Sequence, residues 1–222
     1  MSYQTPRSFY NLLLGLSLLM PFSVQASIAD ITRIYKQTPK LEAFEICSGG
    51  GCAEIKQVAL TNDEWKVVTA IFEEPAPTHD VPKDAALERK HIADAIGALE
   101  RVVGAKTGTS TDRAGTFDNS RYPGQLDCND EAINSTTYMR LMQQHGLIKL
   151  HAIESMGTRS YFLFGWPHST AVIHELATGE RYAVDSWFYD NGAPATIVPF
   201  ATWKSGYFPT DSPIIKGRAE VK

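Results

Sequence analysis

The repeat distance of the apolar residues changes at Gly146, and that change restricts the fold more than any other feature of the chain. Upstream, Ile92, Ala95, Ile96, Leu99, Val102 and Val103 recur at three- and four-residue steps, the spacing of one helical face. Downstream, "LIKLHAIES", "SYFLFG", "HSTAVIHEL" and "RYAVDSWF" follow a two-residue period with strand-forming residues. Each helix and each half-buried sheet has one apolar face that must be covered. Helices first and hairpin strands afterwards therefore predict an α+β domain, with helices packed on an antiparallel sheet.

Local signals set the expected boundaries. Thr61 with Glu64 three residues later forms a capping box, ahead of a helix over 62–72. Proline-rich "EEPAPTHDVPKD" ends it as a loop, and Asp84 caps a second helix that Gly104 closes. The charged residues Glu88, Arg89, Lys90 and Asp94 read as its solvated face. A polar stretch, 105–127, is long enough to be a binding loop and leads into a third helix from Cys128 to about His145. On a helical wheel, Ala132, Tyr138, Met139, Leu141 and Met142 share an apolar arc with Cys128. Residues 27–60 are mixed, with "LEAFEICS" alternating as one strand; Thr178-Gly179 makes the turn between the last two strands, and the tail beyond Pro209 is loose.

The first 26 residues carry Arg7, an apolar run from about Leu12 to Val24 and the tripeptide Val24-Gln25-Ala26. This reads as a secretory signal peptide cleaved after Ala26, because the run is short of the roughly 20 apolar residues a spanning helix wants. A single domain over 27–222, exported to the periplasm or the extracellular space, is the expectation. Beyond the leader no segment is apolar enough to cross a bilayer. The formal net charge of −4, with no basic run, gives nucleic acid no footing.

Export places the chain where disulfides persist. Cys47 and Cys52 in "CSGGGC" are spaced to close on each other, a short-loop bridge worth about 2 kcal/mol by chain entropy. Zinc is the lesser reading, since no histidine lies near that pair. The third cysteine, Cys128 in "GQLDCNDEA", is left without a partner. In the first turn of a helix it faces unpaired N–H groups and the positive end of the macrodipole, which favour thiolate. Its plain alternative is a small buried hydrophobe.

Thiol catalysis needs an imidazole to move the proton and a group to orient that imidazole. His168 stands at the mouth of one strand and Asp185 on its neighbour across the hairpin. Reflection about Thr178-Gly179 places 172 opposite 185, so contact between His168 and Asp185 requires a bulge, a longer loop or a diagonal pair. The Cys128 backbone N–H is one oxyanion donor, and Gln125 is the candidate for a second. Trp166, Trp187 and Tyr182 wall a groove or belong to the core. His151 reads as a satisfied strand residue, and a zinc site from His168, His174 and Asp185 lacks any established ligand spacing.

Cys128 in "GQLDCNDEA", the helix end "YMRLMQQHGL", His168 leading a strand and Asp185 on the next together resemble the transglutaminase-like superfamily, a branch of the papain-like thiol enzymes. The likeness covers about residues 110–190 and extends to exported bacterial members. It departs where members often carry Trp two residues beyond the histidine, here Thr170, and where "SWF" follows Asp185 in place of a Pro-containing stretch. The resemblance implies a papain/transglutaminase-like core, with Cys128 as nucleophile, His168 as general base and acid, and Asp185 as orienting acid. It implies no cofactor. The expected activity is that of a cysteine peptidase, amidase or acyl transferase on a peptide, protein or cell-wall peptide. The alternatives are a non-catalytic binding module for peptide or cell wall, and a peptidoglycan endopeptidase.

Overall fold

The computed structural model describes residues 27–73, 80–159 and 167–214. The expected leader, the strand "SYFLFG" and Trp166 lie outside the described residues. In chain order the elements are α1 (Ile28–Tyr35), β1 (Phe44–Ser48), β2 (Glu54–Val58), α2 (Asn62–Glu73), α3 (Val81–Thr107), α4 (Cys128–Gln144), β3 (His151–Ile153), β4 (Gly157–Arg159), β5 (His168–Glu175), β6 (Arg181–Asp185), β7 (Thr196–Pro199) and α5 (Phe200–Lys204). This is the mixed α+β arrangement expected, with antiparallel pairing throughout: β1 with β2, and a second sheet ordered β3-β5-β6-β7 in which β4 also pairs β5.

The α2 capping box forms as read, Thr61 N–H donating to Glu64 Oε2 at 2.7 Å and Glu64 N–H to Thr61 Oγ1 at 3.2 Å. Helix α3 runs past both expected ends. Pro82 is tolerated in its first turn because an N–H there has no intrahelical partner. Gly104 does not stop it; a Cβ there would meet the Ser110 backbone N at 3.0 Å, so this glycine lets the following loop pack close. The stop is Gly108, left-handed at φ +79°. The charged face of α3 is not all solvated: Glu88 is buried and accepts from the Lys149 and Leu150 N–H groups and His151 Nδ1, while Arg89 pairs with Glu175 at 2.7 Å. Arg89 only donates, so the 3.0 Å contact to His151 Nε2 makes that atom the acceptor, and His151 is satisfied on both sides.

Helix α4 lies at the centre. Every residue from Asp130 to Met139 is buried. Tyr138, Met139, Leu141 and Met142 join Ile92, Ile96 and Leu99 of α3, Ala171 and Ile173 of β5 and Phe44 and Ile46 of β1 in one apolar cluster. Such a helix cannot be simply amphipathic. Its polar residues are buried because they have partners, as where Asn134 receives the Cys47 N–H at 2.8 Å and donates to the Cys47 carbonyl at 2.9 Å.

Candidate functional site

Cys128 is the first residue of α4, behind an N-cap, Asp127, that accepts the Asn129 and Asp130 N–H groups in a capping box with Asp130. The start of this helix is also held from outside. The Cys47–Cys52 disulfide closes the β1–β2 connection, whose Gly49, Gly50, Gly51 and Cys52 all take positive φ. That run aims successive amides one way: Gly50 and Cys52 donate to Asp130 at 2.8 and 2.6 Å, Gly51 to Asp127 at 2.8 Å, and Gly49 to the Gln125 carbonyl at 2.8 Å. The Cys47, Cys52 and Asp130 ligand atoms lie within 4.8 Å of one another. Their chemistry does not fit a metal, since the sulfurs are bonded to each other and the Asp130 oxygens already accept three amides.

The hairpin places the other two side chains. Glu175 and Glu180 pair across a four-residue loop, Leu176–Gly179, rather than across a two-residue turn. Ala171 therefore faces Val184, and the frame puts 170 opposite 185 where reflection about Thr178-Gly179 gives 172. A shift of two keeps every side chain on its expected face. It also makes 168 and 185 diagonal neighbours, and His168 Nε2 meets Asp185 Oδ2 at 2.6 Å with both residues buried. His174 lies six residues along the same strand, about 20 Å away at strand rise, so it shares no ligand site with His168. Its neighbour is Glu154, at 3.0 Å.

Two residues that sequence reasoning missed complete the environment of this pair. Trp203, on α5 and fully buried, donates Nε1–H to the same Asp185 Oδ2 at 2.7 Å. Phe188 lies 5.4 Å from the His168 ring, beside Trp187 at 4.7 Å and Trp203 at 5.6 Å. Trp187 also donates to the Thr116 carbonyl at 2.8 Å and meets Phe117 edge-on, so it straps loop 105–127 to the histidine. The loop is ordered by its own bonds, chiefly Asp112 accepting Leu126 N–H at 2.7 Å and Thr116 Oγ–H at 3.1 Å. Gln125 belongs to that brace. Its amide donates to the Thr111 and Pro123 carbonyls at 3.2 and 3.3 Å and its oxygen accepts Arg113 N–H, so its donors are spent within the loop rather than offered to an oxyanion.

Cys128 lies against the first residues of β5, with the Ser169 backbone N–H directed at its sulfur. The expectation of a depressed thiol is corrected: burial pushes it up to about 11, with Asp127 and Asp185 adding in the same direction and the Ser169 and Cys128 N–H groups opposing. Desolvation outweighs the helix terminus, and the resting group is a thiol. His168 Nδ1 is buried and has no hydrogen-bond partner among the described residues.

A second buried group surrounds the start of α4. Burial raises the Glu100 carboxyl to about 8 and those of Asp112 and Asp130 to about 7, and it holds Glu131 well above its usual range. Glu131 accepts Ser186 Oγ–H at 2.5 Å. Carboxyls raised on folding make the native chain bind more protons than the unfolded one between about pH 4 and 8, so their contribution is complete at the acid end and is lost as pH rises through 7 to 8. The melting temperature is expected to fall by several degrees from pH 5.5 to 8.5, and Glu100→Gln to flatten that slope. Calorimetry showing a flat or rising profile in the parent chain would contradict this assignment.

No family model matches the chain, and neither a curated protein nor a solved structure matches it.

Proposed function

We propose that this chain is an exported thiol enzyme that attacks a peptide or isopeptide carbonyl through Cys128 and passes through a thioester. The observation that carries the reading is the 2.6 Å His168–Asp185 contact, on strands β5 and β6 that both pack against α4, with the Ser169 N–H near the head of β5 directed at the Cys128 sulfur. The Asp185 carboxylate holds Nε2, so Nδ1 is the ring nitrogen left to move a proton. In the first step His168 Nδ1 takes the Cys128 proton as the sulfur bonds to the carbonyl carbon. The Cys128 backbone N–H, at the open end of α4, supports the developing oxyanion. Collapse breaks the C–N bond, with the His168 proton leaving on the amine. Water then attacks the thioester, gives its proton to His168, and releases a carboxylic acid and the thiol. An amine in place of water gives transfer.

The protonated resting thiol makes this a general-base mechanism, in which proton removal and attack are concerted, rather than one that starts from a stored thiolate. The test is digestion of a mixed pool of peptides and muropeptides in H2(18)O. Cleavage that places one (18)O in each new carboxyl, and that disappears in Cys128→Ala, supports hydrolysis; an amine adduct supports transfer. Neither product at any substrate tested, with ligand retained by Cys128→Ala, favours a binding module on the same scaffold. One observation favours that second reading, the 7% exposure of Cys128 together with its raised thiol.

A further inference from the structure

We propose that Trp203 is a positioning residue that selects the His168 tautomer through Asp185, an inference that rests on the catalytic reading above. The argument turns on one oxygen. Asp185 Oδ2 lies 2.7 Å from Trp203 Nε1 and 2.6 Å from His168 Nε2, and all three residues are buried. An indole nitrogen donates and never accepts. Its N–H takes one lone pair of Oδ2 and fixes that oxygen as an acceptor in place, so the shorter contact is one in which His168 Nε2–H donates to it. A neutral imidazole protonated at Nε2 carries its lone pair on Nδ1, the atom a thiol proton must reach. Without the indole, the carboxylate is held by His168 alone and can turn away from Nε2, and the ring is free to carry its proton on Nδ1 and present that N–H to the cleft.

The indole is itself held in place for this task. Arg159 Nη1 donates to the Trp203 and Tyr207 carbonyls at 2.6 and 2.9 Å, and its guanidinium lies 4.6 Å from the Trp203 ring centroid. Arg159 is also the partner of His168 in the β4–β5 pairing. A cation over the indole face draws charge from the ring and strengthens its N–H as a donor. Phe200 stacks on the other part of α5, 5.6 Å from Trp203. The carboxylate is thus gripped from two directions, and His168 inherits a fixed ring orientation.

The experiment uses the full chain labelled with (15)N, with His168 ring shifts read in the parent and in Trp203→Phe, alongside acylation by p-nitrophenyl acetate. The parent is expected to hold the Nε2–H tautomer. In W203F both tautomers appear, acylation slows by about tenfold, and its pH profile moves, a change that lost packing alone does not produce. An Nδ1–H tautomer in the parent overturns the proposal, as does W203F with the parent's tautomer and pH profile. Should W203F fail to fold, fluorotryptophan incorporated in the full chain keeps the ring and strengthens its donor. The profile then moves in the opposite sense to that of a weakened donor, and an unmoved profile together with an unmoved indole proton overturns the proposal. Absence of any acylation in the parent counts against the catalytic reading, while the tautomer measurement still decides the role of Trp203.

Discussion

His168→Ala is expected to lower the rate of Cys128 acylation by roughly a thousandfold with little loss of fold. The size of the effect follows from the resting state of the thiol. Burial, Asp127 and Asp185 hold it at about 11, so at neutral pH about one molecule in ten thousand carries the thiolate unaided. A base at Nδ1 removes that deficit only as attack proceeds. Asp185→Asn should cost less, because Trp203 Nε1–H holds the amide oxygen at the shared position and keeps Nε2–H donating, so that only the carboxylate's support of the imidazolium is lost. Both variants keep the apolar cluster of α3, α4 and β5 intact, so circular dichroism and melting separate lost chemistry from lost structure. Equal acylation rates in H168A and the parent would remove His168 from the reaction.

Gly50→Ala is expected to cause a large loss of stability. Gly50 sits at φ +89°, and a Cβ there would lie 2.3 Å from the Phe117 carbonyl oxygen, a backbone atom that cannot swing aside. The alternatives are to move loop 105–127 or to give up the Gly50 amide bond to Asp130. Either costs about 3 kcal/mol or more, a fall of roughly 6–12 °C in melting temperature for a chain of this size. Losing that bond leaves Asp130 buried beside Asp127 with fewer donors, so the start of α4 should loosen as well. Gly51→Ala is the control: among the described residues nothing lies within 4 Å of its Cβ position, leaving φ +59° as the strain. A G50A chain as stable as G51A would show that the disulfide loop does not grip α4 as described.

The parts of this fold legible in the sequence are those whose signal is local and repeated. The apolar steps of α3, the Thr61–Glu64 box and the Gly146 stop depend on neighbours within one turn, and the structure keeps them. The pairing of "CSGGGC" and the face shared by His168 and Asp185 were legible for the same reason, since strand parity survives an error of two in register. What escaped depends on distant chain. Helix α1 buries only Ile34 completely, and β2, β4, β7 and α5 have three to five residues each, too few to show a period. Glu88 reads as a surface charge until β3 brings the Lys149, Leu150 and His151 donors to it. Trp203 has no sequence signal, because its bond to Asp185 exists only after β7 folds back along β6 and Pro199 starts α5. The position of Cys128 at a helix start and on an apolar arc was legible; that burial outweighs the helix terminus in setting its titration was not.

The claim beneath all of this is that the Cys128 sulfur forms a bond to an acyl carbon under the control of His168. Rapid mixing of the full chain with p-nitrophenyl acetate, followed by intact and peptide mass analysis, measures that bond. One acetyl group on Cys128 within a burst of p-nitrophenolate, absent in Cys128→Ala and slowed by roughly a thousandfold in His168→Ala, is the predicted result. Acetylation of Cys128 no faster than in the unfolded chain, or equally fast without the histidine, would contradict it.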